Sequence, residues 1–445
     1  MHGPTKEGLN APTKHLAELG TLIHPIEPIA HCGMPVHYVL PTFEKKVRYM
    51  LSTYKCAASA HAVRYMLSTF EKKARPVRVP TLADARDVGR WEIVPEPYGV
   101  VLIIAPWNYP FGLVMNPLIG AIAAGNVAVI KPSEISANTT ALIADLIPKY
   151  LDARVVRVVL GAVPETTALL EQRFDMICYT GGTRVGRIVA AAAARHLTPA
   201  LLELGGKCPV YVHKSAHLPA AARRILEGRL RNCGQMCTAA DYVLVDREVA
   251  PKLVDEMKDK LAKHWADPQA HSQYCRLVSE AGVDQEDHGG KVVAGGKIDR
   301  GDRYMEPTIV LAPKPESRLM TEEIFGPILP VVPIDGGIDE AIERVNAKGT
   351  PLAAYAFMDD KQLAERWVER VSAGGMAINH VAAHVNNINV PFGGKGESGM
   401  GSNRGAYSFD AFSHHKTVLL ADTGKGGLIA NALSAVKNIL HTRAA

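Results

Sequence analysis

The chain has 445 residues, of which 47% are hydrophobic and 21% are charged. This composition excludes a largely disordered protein, and the length predicts two or three domains. The net charge of +5 comes from 50 Lys and Arg against 45 Asp and Glu, without any dense basic run, which argues against a nucleic-acid partner.

The first ninety or so residues predict loops followed by helix, and they contain a duplication. The string VRYMLST occurs at Val47–Thr53 and again at Val63–Thr69. Two copies are too few for a repeat protein, which needs at least three stacked units. We interpret the duplication as a local event within an amphipathic helix.

From Val100 onward, short apolar runs alternate with helical stretches. The predicted strands are Val100–Ile104, Val127–Lys131, Val155–Leu160, Met176–Thr180 and Ala200–Leu204. The predicted helices between them are Leu113–Ala124, Ala137–Tyr150, Glu165–Glu171 and Thr183–Arg195. Continuous apolar strands separated by helices indicate a parallel sheet that is covered on both faces.

A second α/β region follows. Its predicted strands are Tyr242–Val245, Thr308–Leu311, Ile328–Ile334 and Leu352–Phe357, and its helices are Val249–Lys263, Asp339–Ala347 and Lys361–Val371. The segment Asp267–Arg303 is polar and rich in Gly, so we expect a surface excursion there. The fold class expected is therefore α/β, with two parallel-sheet domains.

The chain ends and the cysteines indicate the compartment. The N-terminus has no apolar targeting stretch, and no apolar run approaches the ~20 residues that cross a bilayer. Seven Cys without a CxxC pair indicate free thiols in a reducing compartment, so a soluble, cytoplasmic protein is expected. A strand candidate lies at Lys416–Leu420. Beyond it, residues 427–445 predict an amphipathic helix, for which packing is favoured over membrane contact.

Cys237, in NCGQMCTAADY, is a candidate nucleophile. A thiol nucleophile needs a donor for the oxyanion that it creates and a base to bring water to the acyl group. Asn108 in PWNYP offers an amide, and Glu203 in LELGGK offers a carboxylate. An isolated intracellular Cys is more often structural. No local Cys–His signature supports a papain-like protease.

Two further motifs suit a dinucleotide. GGTRVG, at Gly181–Gly186, follows a predicted strand and opens a helix, where free backbone N–H groups and the helix dipole hold phosphate. KPSE, at Lys131–Glu134, places a cation and a carboxylate at a strand end, where they suit ribose hydroxyls. Taken separately, each motif has an ordinary alternative: a tight strand-to-helix connection for the first and a capped helix start for the second.

Together the motifs resemble the aldehyde dehydrogenase superfamily. PWNYP, KPSE, GGTRVG, LELGGK, GQMC, EEIFGP and PFGGKGESGMG stand in that family's order, over roughly Glu96 to Leu420. AAARHLTPALLELGGK and SFDAFSHHK point to the class 3 branch, whose members act on medium- and long-chain aliphatic and aromatic aldehydes and are typically dimers. The resemblance implies a small β extension for oligomerisation, a homodimer, and NAD as cofactor with NADP also accepted.

The resemblance also implies roles for single residues. Cys237 would attack the aldehyde, Asn108 and the Cys237 N–H would hold the oxyanion, and Glu203 would activate the hydrolytic water. The residues implied in cofactor binding are Lys131 and Glu134 at the adenosine ribose, Gly181, Thr183 and Gly186 at the pyrophosphate, and Glu323 with Phe325 at the nicotinamide end. No metal site is expected.

The resemblance further implies the domain boundaries. Residues 1–87 and 98–206 would form the dinucleotide-binding domain, and 207–385 the catalytic domain. Residues 88–97 and 386–422 would be bridging or oligomerisation segments, and 423–445 the C-terminal helix.

The sequence departs from the family in places, and other interpretations remain. Gly182 stands where Ser or Asn is usual, and Ala240 replaces a common Pro. Cys233 would be able to form a disulfide with Cys237 if the segment were helical, although a small buried side chain is the favoured interpretation. An acyl-CoA-forming variant is disfavoured by Glu203. An inactive scaffold on this fold is the alternative from another functional class.

Overall fold

The computed structural model describes Thr69 and residues 72–79, 89–279 and 289–421. These residues belong to two compact units. The first takes in the chain up to Thr180, Arg187–Leu201 and the chain from Asn403; the second takes in Gly181–Gly186 and Leu202–Ser402. The duplicated segment, except Thr69, and the predicted C-terminal helix lie outside the described residues, as do Cys32 and Cys56.

The first unit contains a parallel sheet whose strands are the apolar runs of the sequence. They are β3 (Val100–Ile104), β4 (Val127–Lys131), β5 (Val156–Val158), β6 (Met176–Thr180) and the start of β7 (Ala200–Glu203). Strand β3 pairs in parallel with both β4 and β6, and β5 lies beyond β4. The helices are α1 (Gly112–Ala123), α2 (Ala137–Tyr150), α3 (Val163–Glu171) and, from Arg187 onward, α4 (Thr183–Arg195). Strands β3 and β4 are almost fully buried because helices cover a parallel sheet on both faces.

A small antiparallel sheet also belongs to this unit. Its described strands are β1 (Val77–Arg78), β2 (Gly89–Pro97) and β18 (Ser413–Ala421), and β18 pairs with β2 over nine residues. The late segment of the chain is anchored further at Asn126, whose side-chain amide donates to Ala121 O at 3.0 Å and to Phe412 O at 2.9 Å. The first unit is therefore completed by residues that come some 200 positions after its sheet.

The described part of the second unit contains a seven-stranded sheet in the order β10-β13-β14-β9-β8-β15-β16. The strands are β8 (Pro209–Val212), β9 (Tyr242–Asp246), β10 (Lys291–Ala294), β13 (Thr308–Leu311), β14 (Ile328–Ile334), β15 (Ala353–Phe357) and β16 (Gly375–Ile378). The sheet is parallel except where β10 pairs with β13. Short pairs are formed by β11 (Ile298–Asp299) with β12 (Tyr304–Met305), and by β17 (Gly399–Met400) with the end of β7.

Helices cover both faces of this sheet. Helices α5 (Leu218–Leu230) and α6 (Ala250–His264) pack on one face, with Val210, Val243 and Tyr355. Two more, α8 (Gly337–Asn346) and α9 (Lys361–Arg370), pack on the other, with Tyr211 and Leu244. The short helices α7 (Arg318–Thr321) and α10 (Ala406–Ala411) complete the described elements. These observations confirm the predicted α/β class with two largely parallel sheets and a small β extension.

One prediction about this unit was wrong. Residues 267–303 were expected to form a surface excursion, but Lys291–Ala294 is strand β10 at the edge of the large sheet. An edge strand needs an apolar face only where it touches its neighbour, and Lys291 and Val292 are exposed. The polar composition of the segment reflects that exposure.

No helix among residues 89–279 and 289–421, or in the short described stretches before them, is long and apolar enough to cross a membrane.

Candidate active site

Cys237 follows a tight turn that is built from unusual backbone conformations. After α5, residues Arg231–Gly234 form a single 3₁₀ turn in which Asn232 and Cys233 have φ values of 51° and 56°. Gly234 also has a positive φ, of 75°. The turn is closed because Asn232 Nδ2 donates to Gln235 O at 3.2 Å and Gln235 Nε2 donates to Asn232 O at 3.1 Å. Left-handed non-glycine residues cost free energy and persist where the surroundings hold them, which is typical of functional sites.

Two backbone carbonyl groups at Cys237 and the next residue accept hydrogen bonds from buried side chains. The Cys208 thiol donates to Cys237 O at 3.3 Å, and Tyr355 Oη donates to Thr238 O at 2.7 Å. Cys208, Thr238 and Tyr355 are fully buried, whereas Cys237 itself is half-buried. The backbone of the nucleophile segment is thus fixed to the core, while the Cys237 residue remains partly exposed.

Cys233 is a buried structural thiol, and the condition for a disulfide with Cys237 is not met. The segment is not a regular helix, and none of the five cysteines within the described residues forms a disulfide. Burial raises the pKa of the Cys233 thiol to about 11, although a hydrogen bond with Tyr274 opposes the shift. A thiol that stays protonated and fully buried is unreactive, which agrees with the favoured interpretation of Cys233.

Glu203 ends β7 in the second unit, and its side chain is buried. Its carbonyl accepts a hydrogen bond from Gly181 N at 3.0 Å, which joins it to the start of the glycine-rich turn. On its other side Glu203 pairs with Gly399 of β17, and Leu204 N donates to Ser398 O at 3.0 Å. The end of the strand is therefore fixed by backbone contacts from both neighbours.

The glycine-rich turn leads directly into α4, as the sequence predicted. Gly182 has open space around it, since an added Cβ would meet no atom within 4 Å. Gly186 lies one turn into the helix, where an added Cβ would come 2.5 Å from Leu204 Cδ2. Gly186 is explained by close packing of the helix on the strand, and its predicted place at the pyrophosphate stays a prediction. Thr183 Oγ1 donates to Glu397 O at 3.2 Å.

Glu323 lies against the glycine pair that follows Glu203. A Cβ on Gly205 would be 2.3 Å from Glu323 Oε2, so the carboxyl group occupies the space that a side chain would need. Burial raises the pKa of Glu323 to about 8, and the charge of Asp241 adds to the shift. A hydrogen bond from the Gly206 backbone and the charges of Arg229 and Lys207 oppose it. Phe325, two residues on, has a positive φ of 49°.

A buried ionic cluster was missed by the sequence analysis. It consists of Lys207, Arg229 and Asp241: Lys207 Nζ lies 2.5 Å from Asp241 Oδ2, and Arg229 Nη1 lies 3.1 Å from Asp241 Oδ1. One signal was available, because Arg229 follows Leu218, Ala222 and Ile225 on the apolar face of α5 at spacings of four and three. A charged residue on such a face predicts a buried partner.

The first unit holds the remaining predicted residues. Asn108 lies in the loop after β3, and Lys131 is the last residue of β4, so both follow the carboxyl ends of neighbouring parallel strands. Lys131 is buried, and its Nζ donates to Glu134 Oε2 at 2.8 Å and to Gly161 O at 2.9 Å. Partial burial opposes ionisation of Glu134, but the bond and charge of Lys131, with a backbone hydrogen bond, lower its pKa.

The structure thus groups the predicted residues by unit. The second unit contains Cys237, Glu203, Glu323, Phe325, Gly181, Thr183 and Gly186, and the first contains Asn108, Lys131 and Glu134. Ligands of parallel α/β sheets bind beyond the carboxyl ends of the strands, where Asn108, Lys131 and Glu203 lie. Parallel sheets with polar residues at these ends and a thiol that follows a strained turn are the features of an α/β enzyme.

Comparisons with known proteins identify the family. Residues 46–418 match the sequence model of the aldehyde dehydrogenase family. An aldehyde dehydrogenase of Craterostigma plantagineum is 48% identical over 342 residues, which cover 75% of this chain and 71% of that protein. Aldehyde dehydrogenase family 3 member A2 of Mus musculus is 47% identical, covering 74% and 68%. The dimeric NADP-preferring aldehyde dehydrogenase of Rattus norvegicus is 44% identical, covering 73% and 72%.

Solved structures agree. The substrate-bound AldH of Staphylococcus aureus superposes with a TM-score of 0.84 at 33% identity, covering 96% of this chain and 98% of that one. A Mycobacterium tuberculosis aldehyde dehydrogenase complexed with NAD+ gives 0.77 at 26% identity, covering 87% and 86%. The chain belongs to the aldehyde dehydrogenase family and is class 3-like, since relatives named as family 3 members are 47% identical to it.

Proposed function

We propose that the protein oxidises medium- or long-chain aliphatic or aromatic aldehydes to carboxylic acids with NAD(P), using Cys237 as nucleophile. The observation that carries the proposal is the construction around Cys237. Cys237 is half-buried, while its own carbonyl accepts a hydrogen bond from Cys208 and the carbonyl of Thr238 accepts one from Tyr355. A fixed backbone of this kind suits a residue whose N–H must receive a developing oxyanion.

The residues present fit a dinucleotide. Gly182 leaves open space at the N-terminus of the 13-residue helix α4, where backbone N–H groups favour phosphate. Lys131 and Glu134 form an ion pair at a strand end, and Glu323 offers a carboxyl group beside Phe325. Lys131 and Glu134 would hold the adenosine ribose, and Glu323 the nicotinamide ribose. When bound, the nicotinamide accepts the hydride that the substrate carbon loses.

The chain's own residues supply the other steps. The Cys237 sulfur bonds to the aldehyde carbon, and the oxyanion accepts hydrogen bonds from the Asn108 amide and the Cys237 N–H. Loss of the hydride leaves a thioester on Cys237. Glu203 takes a proton from water, the water oxygen attacks the thioester carbon, and the carbon–sulfur bond breaks to release the acid and the thiolate. Each donor to the oxyanion is worth about 3–4 kcal/mol in reactions of this type.

We also propose that the protein forms a homodimer and that its domains have the boundaries implied by the family resemblance. Their support is the family membership and, for the dimer, the small antiparallel sheet formed by β1, β2 and β18. Sedimentation equilibrium would test the dimer directly.

The central experiment measures reduced-cofactor formation with NAD and straight-chain aldehydes from acetaldehyde to hexadecanal, with and without CoA. We expect turnover that rises with chain length and does not depend on CoA. A requirement for CoA would instead indicate an acyl-CoA-forming enzyme. Absence of turnover with every aldehyde, despite NAD binding, would indicate an inactive scaffold.

Cys237→Ala tests the nucleophile. We expect this variant to lose dehydrogenase turnover while its dissociation constant for NAD stays near that of the wild type, because the thiol is needed for chemistry and not for cofactor contacts. Cys275→Ala is the matched control, since Cys275 is an exposed thiol that has no role in the proposed reaction. Turnover above background in Cys237→Ala would refute the assignment.

A further inference from the structure

Arg229 is a buried cation that the reaction scheme does not use. It lies near the end of α5, and its side chain is completely enclosed. Its Nη1 donates to Ala240 O at 3.0 Å and to Asp241 Oδ1 at 3.1 Å, while its Nη2 donates to Gly326 O. Burial of a charge is costly unless the charge is paired and hydrogen-bonded, so these contacts have to be made well.

One side of this network holds the loop that carries Glu323 and Phe325. Arg229 binds the carbonyl of Gly326, and Asp241 Oδ1 accepts a hydrogen bond from Ile324 N at 3.1 Å. The two backbone groups flank Phe325, which has a left-handed conformation. The conformation of this loop therefore depends on the pair formed by Arg229 and Asp241.

The other side holds the segment that carries Cys237. Ala240 is three residues after Cys237, and Asp241 N donates to Cys208 O at 2.8 Å. The two segments also touch directly, because a Cβ on Gly234 would lie 2.0 Å from Gly326 O. No side chain fits between them at that point. A displacement of one segment must therefore be transmitted to the other.

We infer that Arg229 is a positioning residue that holds the Cys237 segment and the Glu323–Phe325 loop in one fixed arrangement. The inference rests on the proposed function, in which the first segment carries the nucleophile and the second contacts the cofactor. Arg229 itself touches neither. Its role is to set the place of both groups through the carbonyls of Ala240 and Gly326.

The inference depends on the two terminal nitrogens of the Arg229 guanidinium group. Two different nitrogens reach two different segments, and the planar group holds them in fixed geometry. A lysine at this position would keep the charge opposite Asp241 but would present a single point of contact. Arg229→Lys therefore separates positioning from charge.

The experiment compares Arg229→Lys and Arg229→Gln with Arg223→Lys and Arg223→Gln. Arg223 lies on the same helix, is exposed, and pairs only with Glu227 among the ion pairs of the described residues. We would measure thermal unfolding, the dissociation constant for NAD, kcat and KM, and the rate at which iodoacetamide alkylates Cys237 without cofactor. The NAD dissociation constant and the alkylation rate do not require turnover.

For Arg229→Lys that remains folded at the assay temperature, we expect kcat/KM to fall by about 10- to 100-fold. NAD binding should weaken and the alkylation rate of Cys237 should change in the same variant, because both segments move. The Arg223 variants should match the wild type in each measurement. A folded Arg229→Lys with a lower melting temperature but unchanged NAD binding and alkylation would overturn the inference, because that is the result of a purely structural role.

If both Arg229 variants fail to fold, the same measurements are made on Asp241→Asn. This substitution keeps the size of the side chain and removes its charge. Measured at pH 9, where Glu323 is ionised with or without the charge of Asp241, weaker NAD binding together with altered alkylation in Asp241→Asn would support the inference, and unchanged values would overturn it. If the wild type itself lacks dehydrogenase turnover, the proposed function fails; the labelling and NAD measurements still decide on the positioning role.

Discussion

At the scale of single residues, two carboxylates that the family resemblance assigns to the cofactor have opposite electrostatic surroundings. Glu134 has a partner of opposite charge in Lys131, which lowers its pKa despite partial burial. Glu323 lies in a poorly hydrated place near Asp241, which raises its pKa to about 8. Glu134 is therefore ionised at neutral pH, whereas Glu323 is largely protonated in the folded chain without cofactor.

The charge of Glu134 predicts a preference for NAD over NADP. A 2′-phosphate beside an ionised carboxylate is repelled, and Lys131 is already engaged by Glu134 and Gly161. We expect a modestly higher kcat/KM with NAD, and a smaller preference in Glu134→Gln. Steady-state rates with both cofactors at matched subsaturating concentrations test this. Equal rates in the wild type would contradict it.

The raised pKa of Glu323 predicts pH-dependent cofactor binding. Ribose hydroxyls donate to the ionised carboxylate. At pH values below about 8, Glu323 of the free protein must therefore lose a proton before NAD can bind in this way. The NAD dissociation constant should then rise towards tenfold per pH unit below that value, and Glu323→Gln should remove this dependence. Fluorescence titrations between pH 6.5 and 9 would measure it, and a flat wild-type profile would contradict it.

The same shift affects stability in a defined direction. Between the ordinary carboxyl pKa of 4.5 and about 8, the folded chain keeps a proton that the unfolded chain has released. The contribution of Glu323 to the free energy of unfolding is therefore complete below pH 4.5 and declines as the pH rises to about 8. The stability of the wild type relative to Glu323→Gln should decline over that window.

At the scale of elements, α4 and β7 are held together by Gly186. Its added Cβ would meet Leu204 Cδ2, whereas the space at Gly182 is open. Gly182 precedes the helix and its carbonyl accepts from Gly186 N at 3.0 Å, so it acts as the N-cap. The two glycines of one motif therefore serve different physical purposes.

This difference predicts that one substitution is harmful and the other tolerated. Gly186→Ala gains about 1 kcal/mol of helix propensity but costs about 1–3 kcal/mol through overpacking against Leu204, so we expect a lower melting temperature and weaker NAD binding. Gly182→Ser, the matched control, supplies a favourable N-cap in open space and should retain both. Thermal unfolding and NAD titration test the pair. An unaffected Gly186→Ala would show that the helix can shift without cost.

The strands and helices with strong apolar patterns were the predictable elements. Val100–Ile104, Val127–Lys131 and Met176–Thr180 were predicted with the bounds that the structure has, because short, mainly apolar runs between helical stretches are distinctive. In the large sheet, strands β8, β10 and β16 (Gly375–Ile378) were not predicted. Strands β10 and β16 are at the sheet edges, where one neighbour is missing and the apolar pattern weakens. Strand β8 lies inside the sheet, but it has only four residues and begins with Pro209, so its pattern is weak.

The site was predictable only in part for a related reason. Cys237, Glu203 and Glu323 stand in recognisable motifs, so the sequence could propose them. The ionic cluster joins Lys207, Arg229 and Asp241 across 34 positions of sequence, and no local pattern specifies that pairing. The left-handed conformations at Asn232 and Cys233 were not predictable either, because neither residue type requires them.

At the scale of the whole molecule, the two units differ in how the chain builds them. All seven strands of the large sheet come from residues 202–402. The first unit needs strand β18 along β2, and Phe409 and Phe412 are part of its core. One unit is nearly continuous in sequence, and the other is closed by a distant segment.

We therefore expect a fragment of residues 202–402 to fold cooperatively and a fragment of residues 89–201 to remain largely unfolded. Circular dichroism and thermal melting of the two fragments test this, and addition of residues 403–421 as a separate peptide should promote folding of the second fragment only. A stable, cooperative 89–201 fragment would show that the late segment is not required.

The bond from Asn126 to Phe412 has a consequence for synthesis of the protein. Asn126 is synthesised early, but Phe412 is synthesised only after nearly three hundred further residues. The usual vectorial order, in which the N-terminal domain folds first, is then reversed. The strands of the nascent first unit stay incompletely covered until residues 403–421 have been synthesised. The second unit is able to form before then. During that interval, chaperones that bind exposed apolar strands would be expected to bind the nascent first unit.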